Sequence, residues 1–230
     1  MRKRKITQAG FSLVELAIAL MIIGLIVGGI LKGQELLESA RLKSVLTQVN
    51  EYRVAVSTFM DRYDALPGDF DQAAELIQDG LLNGNNNGTI EGPGLTTQGK
   101  EHEAASFWAH LAAANLLPSS GLPSGTQAKF GSGAPKAKIG GGFTICHHPF
   151  EDMPGHWFVL GNQNGNKGDA PGLTPLQAMS LDKKADNGDP TTGRIRVKDG
   201  AGVKAGSCVT PKGEYNTKNN EIACVIYFQM

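Results

Sequence analysis

The chain has 230 residues, with 22 basic and 22 acidic side chains balancing to zero formal charge, 40% hydrophobic residues and 30 glycines. That length favours one domain, or one domain with an appendage, and the neutral balance argues against a nucleic-acid binder that works through a large basic surface. A mean hydropathy of −0.19 excludes a polytopic membrane protein but not a single span, and 3 cysteines are too few for a disulfide scaffold.

Charge and hydrophobicity are unevenly placed along the chain. Arg2, Lys3, Arg4 and Lys5 crowd the start, and from Phe11 to Leu31 the only ionisable side chain is Glu15. As a helix that apolar run would span about 31 Å, the thickness of a bilayer hydrocarbon core. A basic flank before an apolar run also describes a secretory signal peptide. No small-residue cleavage site follows this run, however; Lys32, Gly33, Gln34 and Glu35 come next. A retained anchor is therefore favoured over a removed signal. The basic flank predicts a cytoplasmic N-terminus and an exported body.

Beyond the apolar run, Leu42, Val45, Leu46, Val49, Tyr52, Val56, Phe59, Met60 and Tyr63 recur at helical steps of three and four. Glu38, Arg41, Gln48, Glu51, Thr58 and Arg62 fall largely elsewhere around the helix, on a solvated face. Pro67-Gly68 ends the element. A helix from Ser12 to about Asp64 would be roughly 80 Å long, too long to bury in one small globule. Half is expected in lipid, and half is expected to pack one stripe against the C-terminal body. Gly24, Gly28, Gly29 and Gly33 weaken the helix by about 1 kcal/mol each relative to alanine. They read either as close packing between neighbouring membrane helices or as a segment able to melt.

Glu15 is the most informative residue. A carboxylate inside an apolar helix costs about 2.5–3.5 kcal/mol on insertion scales, and the stretch holds no Lys, Arg or His to pair with it. Cleavage between Gly10 and Phe11 would free an α-amino group four residues before Glu15, able to meet it within one chain or in a neighbour. The simpler alternative is a glutamate at the edge of the span, reaching the interface.

The run Gly10-Phe11-Ser12-Leu13-Val14-Glu15-Leu16, after a basic leader and before an apolar helix, resembles the N-terminus of type IV pilins and pseudopilins. The resemblance implies that a membrane-bound aspartyl prepilin peptidase cuts after Gly10. It also implies that Phe11 is N-methylated and that Glu15 aids docking into a filament. It covers about the first 40 positions directly. One departure is the absence of a proline in the second half of the apolar helix, which bears on where a helix would melt. The expected fold class is α+β: a long N-terminal helix, half transmembrane and half amphipathic, packed on a C-terminal antiparallel β-sheet domain as in pilins. The expected parts are a leader (residues 1–10), a transmembrane assembly helix (11–31), its amphipathic continuation (32–66) and a globular head (67–230).

The head is polar and loop-rich. Asn83 to Thr97 reads as a long loop. Its start, Asn83-Gly84-Asn85-Asn86-Asn87-Gly88-Thr89-Ile90, has the polar spacing of an EF-hand calcium loop. The ligand positions are neutral amides, though, and Gly94 stands where the closing glutamate belongs, so a turn-rich surface loop is preferred. Ala104 to Leu117 reads as a second helix ended by Pro118 and Gly121. Gly140–Ile145, Trp157–Leu160, Gly193–Lys198 and Ala223–Phe228 are strand candidates. Thr174–Lys184 reads as a third helix, running into the turn cluster Asp186-Asn187-Gly188-Asp189-Pro190. Leu66-Pro67-Gly68-Asp69 and the stretch from Leu181 to Gly193 resemble regions of some large pilin-like proteins, without known chemistry. Asp182, Asp186 and Asp189 could gather a cation, but a solvated helix cap is the preferred reading.

Cys208 and Cys224 flank a polar segment. An oxidising compartment would allow a disulfide there, and a disulfide-bounded C-terminal loop is also part of the pilin resemblance, leaving Cys146 free. The sequence leaves all three pairings open. Cys146, His147, His148 and His156 form the one cluster that invites a zinc or enzyme reading, but no C-x-x-C or H-E-x-x-H spacing supports it. With no G-x-S-x-G or phosphate loop either, no catalytic residue, metal or cofactor is expected.

Three functions follow from these readings. One is a pilin that polymerises through its N-terminal helix into a fibre for adhesion, motility or DNA uptake. Another is a pseudopilin of type II secretion. The third is a membrane-tethered periplasmic enzyme or metal-binding module. The expected partners are copies of the same chain, the prepilin peptidase and an inner-membrane assembly platform. The expected location is the inner membrane with a periplasmic head, then an assembled pilus or pseudopilus. Losing the leader would leave 18 basic against 22 acidic side chains, an acidic mature subunit.

Overall fold

The computed structural model describes residues 12–97, 99, 101–118 and 127–230; the leader, with Gly10 and Phe11, lies outside them. The chain forms two units, Met1–Arg41 and Leu42–Met230.

The first helix, α1, runs Leu13–Tyr63. In the N-terminal unit its large apolar side chains, from Leu13 through Leu37, are all exposed. An apolar 18-residue window there has a mean hydropathy of 2.6 and is long enough to cross a membrane. The helix continues without a break through Gly24, Gly28, Gly29 and Gly33, each with open space where a Cβ would stand.

In the second unit, α1 buries Leu42, Val45, Val49, Tyr52, Ala55, Val56 and Phe59. Leu46 and Tyr63 pack at the edge of this core, whereas Met60 is 44% exposed. Adjacent helical residues diverge by about 100° around the axis. With Phe59 facing the core, Met60 turns away and Ala55 completes the stripe.

Two helices follow, α2 (Ala73–Leu76) and α3 (Glu103–Ala113). Helix α3 ends before the Pro118 that the sequence suggests as its stop, because Asn115 adopts a left-handed φ of 59°. The strands β1 (Lys129–Phe130) and β2 (Gly133–Ala134) form a small pair. The main sheet comprises β3 (Gly142–His147), β4 (His156–Asn164) and β5 (Lys167–Ala170), then β6 (Ile195–Asp199) and β7 (Cys224–Gln229). Its order is β3-β4-β7-β6, with β5 also on β4, and every pairing is antiparallel. Between β5 and β6 lies α4 (Pro175–Ala185), whose N-cap Thr174 forms a capping box with Gln177.

Strand alternation sorts the sheet into two faces. On one face Ile145, Phe158, Phe228 and Ile195 form a single cross-strand row, all buried. Tyr52 of α1 meets this face, with ring-centroid distances of 5.1 Å to Phe143 and 5.8 Å to Phe158, and 5.0 Å to Trp108 of α3. On the other face Phe150, in the β3–β4 loop, folds over Trp157 and Tyr227 at 5.0 and 5.2 Å. Arg196 stacks under Phe150 and makes a two-pronged ion pair with Asp152 at 2.6 and 2.7 Å.

The head is thus an antiparallel sheet with α1, α3 and α4 contributing to its core, an α+β layout consistent with a pilin fold. Strand β5 lacks the β-branched and aromatic residues that mark the others. It forms because the two-residue loop Gly165-Asn166, with Gly165 at φ 58° and Asn164 paired to Lys167, turns the chain back onto β4. That dipeptide is a hairpin signal in the sequence.

Candidate functional site

At the start of α1 the chain closes its own N-terminus. The Ser12 hydroxyl accepts the Val14 amide at 3.1 Å, and the Glu15 carboxylate accepts the Ser12 amide at 3.0 Å. This reciprocal arrangement satisfies backbone donors that a helix start leaves free. Glu15 therefore has a partner inside its own turn, a backbone amide and not a cation. The signal was present as the S-x-x-E pattern of Ser12 to Glu15. A carboxylate also suits the positive end of the helix dipole.

In the head, Cys208 and Cys224 are joined in a disulfide with a Cα–Cα distance of 5.1 Å, and both are buried. Two carboxylates anchor the loop it closes. Asp199 accepts the amides of Cys208 at 2.6 Å and Gly206 at 2.8 Å, and Asp182 accepts the Tyr215 hydroxyl at 2.6 Å. Asp182 is thus not a solvated cap. It is fully buried, takes a second bond from the Gly188 amide, and burial raises its pKa above the ordinary aspartate range. Asp186 instead accepts the Ile195 amide at the start of β6, and Asp189 accepts the Thr191 amide of its own turn.

The Asn-rich loop is organised in the opposite sense to a cation loop. Its backbone amides converge on two buried carboxylates: Asp69 receives Asn87 and Gly88 at 3.0 and 2.8 Å, and Glu103 receives Asn85 and Glu91 at 3.1 and 3.0 Å. The side-chain oxygens of Asn85 and Asn87 cap their own turns. Asp69 of the Leu66-Asp69 phrase is therefore a loop anchor. Its neighbour Gly68, at φ 90°, sits where a Cβ would lie 2.5 Å from the Glu103 carbonyl.

Cys146 is free, and burial pushes its thiol up to about 12, so little thiolate forms at neutral pH. His147, His148 and His156 gather at the end of β3, with His156 Nε2 accepting the Ile90 amide at 3.0 Å. Among the described residues no set of three or more His, Cys, Asp or Glu is placed to hold a metal.

Compared with known proteins, the chain matches the prokaryotic N-terminal methylation motif over residues 6–31. No curated protein and no solved structure matches it. The matched segment contains the capped helix start and most of the exposed apolar run. It implies processing by a prepilin peptidase and association with a membrane, and it points to a structural subunit. The apolar helix and the motif together fit a membrane-anchored precursor. This chain carries the prepilin motif of type IV pilins and pseudopilins.

Proposed function

We propose that the protein is the structural subunit of a type IV pilus-like filament. Prepilin peptidase cuts after Gly10, Phe11 is methylated, Glu15 serves assembly, and copies polymerise through their N-terminal helices on an inner-membrane platform. The observation that carries this reading is the methylation motif at residues 6–31, which takes in most of an apolar helical stretch whose large side chains are exposed. Exposed leucine, isoleucine and valine along that helix favour lipid before assembly and other subunits after it.

The head is held in the periplasm before assembly and reaches the surface in a fibre, where it would serve adhesion, motility or DNA uptake. The pseudopilin reading shares the N-terminal chemistry. The large head with its Cys208–Cys224 loop favours the pilin. A tethered enzyme has less support, since burial holds the free thiol of Cys146 protonated.

The test is a Gly10 substitution in the native host. Full-length precursor should accumulate in the membrane and surface fibres containing this chain should vanish. Normal processing of that variant would refute the reading. Short periplasmic filaments and a secretion defect, without surface fibres, would select the pseudopilin.

A further inference from the structure

On a regular strand successive side chains leave opposite faces, so His147 and His148 at the end of β3 would point apart. Instead His148 takes a φ of 52°, a left-handed backbone uncommon outside glycine. Its amide is tied to the Gly155 carbonyl at 2.9 Å, which fixes the turn. The result brings Nδ1 of His148 within 3.2 Å of Nε2 of His147. The His147 ring also packs against that of His156, at a centroid distance of 4.7 Å.

Two bonds from a tetrahedral Zn²⁺, each about 2.0–2.1 Å long, set the ligand nitrogens about 3.3 Å apart. We propose that His147 Nε2 and His148 Nδ1 form a two-nitrogen site for a borderline transition-metal dication such as Zn²⁺ or Ni²⁺. His148 is exposed and His147 half-buried, so the pair opens to solvent on one side. His156 frames the site and does not complete it through Nε2, because the Ile90 amide occupies that nitrogen. The remaining positions fall to water or to a donor from another molecule.

The chemistry is balanced without loss of a proton. In the metal-free pair one nitrogen of the 3.2 Å contact carries the hydrogen. On binding, that hydrogen moves to the other nitrogen of the same ring, leaving both rings neutral. Neutral imidazole is the ligating form. Two nitrogens select Zn²⁺, Ni²⁺ or Cu²⁺ over Ca²⁺ and Mg²⁺, which take oxygen ligands.

Calorimetric titration of the untagged full chain in detergent micelles with Zn²⁺, Ni²⁺ and Ca²⁺ tests this. One equivalent of Zn²⁺ or Ni²⁺ should bind, and Ca²⁺ should not. His147→Gln and His148→Asn should each weaken binding about ten-fold or more, and His102→Gln should leave it unchanged. Asparagine tolerates the left-handed backbone, so His148→Asn removes the imidazole while keeping the turn. Absence of saturable binding, or binding that survives both substitutions, overturns the proposal.

Discussion

The Ser12 amide donates to the Glu15 carboxylate at 3.0 Å, so the residue we propose for assembly also helps to cap the start of its own helix. Cap and charge can be separated by substitution. Glu15→Gln keeps an acceptor for the Ser12 amide and loses the charge; Glu15→Ala loses both, at about 1 kcal/mol for the cap. Both variants should be cleaved normally after Gly10, and both should be defective in filament formation. Intact mass of the membrane-bound chain and yield of sheared fibres measure the two steps. Normal fibres from Glu15→Gln would show that the cap, and not the charge, is what assembly needs.

His110 should make the head acid-sensitive. Its Nδ1 accepts the Gly68 amide at 2.9 Å and its Nε2 donates to the Leu82 carbonyl at 2.8 Å. A second ring proton would have to face the Gly68 N–H. Burial lowers the pKa to about 4, from an ordinary value of 6.5. The unfolded chain then binds the proton more readily than the folded one. Stability from this group is full above 6.5 and falls as pH drops through 4, by about 3 kcal/mol in all. Urea denaturation across that range, with the His110 ring titration followed by NMR, measures it; a His110 midpoint near 6.5 would contradict the account.

Asp182 should act with the opposite sign. Burial raises its pKa, so the folded head holds that proton more tightly than the unfolded chain. Its contribution is greatest below the ordinary aspartate value and is lost as pH rises through the raised one. Tyr215→Phe removes the 2.6 Å hydroxyl bond and leaves a buried carboxylate with one partner fewer. The cost at neutral pH should be about 1–3 kcal/mol, shrinking in acid. Chemical denaturation of the variant at two pH values tests both the size and the direction.

The Cys208–Cys224 bridge closes a segment with a sequence separation of 16. Replacing both residues with serine should cost about 3 kcal/mol, seen as a lower urea midpoint. Non-reducing peptide mapping should find Cys146 unpaired, and a bridge to Cys146 would contradict the structure.

The anchor, the motif and the heptad-like stripe from Leu42 to Tyr63 were legible because each is a local pattern: a run of apolar residues, a short string around Gly10, a period of 3.6. Four main strands and α4 were legible for the same reason, since their β-branched, aromatic or capping residues lie within a few positions of one another. Long-range placement was not legible. That Asp182 is buried under Tyr215, that Asp69 and Glu103 gather the amides of the Asn-rich loop, and that Met60 yields its place to Ala55 depend on what packs opposite. Strand β5 exists only because β4 lies beside it.

A composition that is neutral on average conceals a chain whose first segment carries a prepilin motif and an apolar helix long enough to cross a membrane. Local sequence determined that segment, because membrane insertion and peptidase recognition read contiguous residues. Tertiary structure alone decided the chemistry of the head. Whether a carboxylate is solvated or buried, and whether neighbouring histidines diverge or meet, is set by backbone turns and by partners far away in the chain.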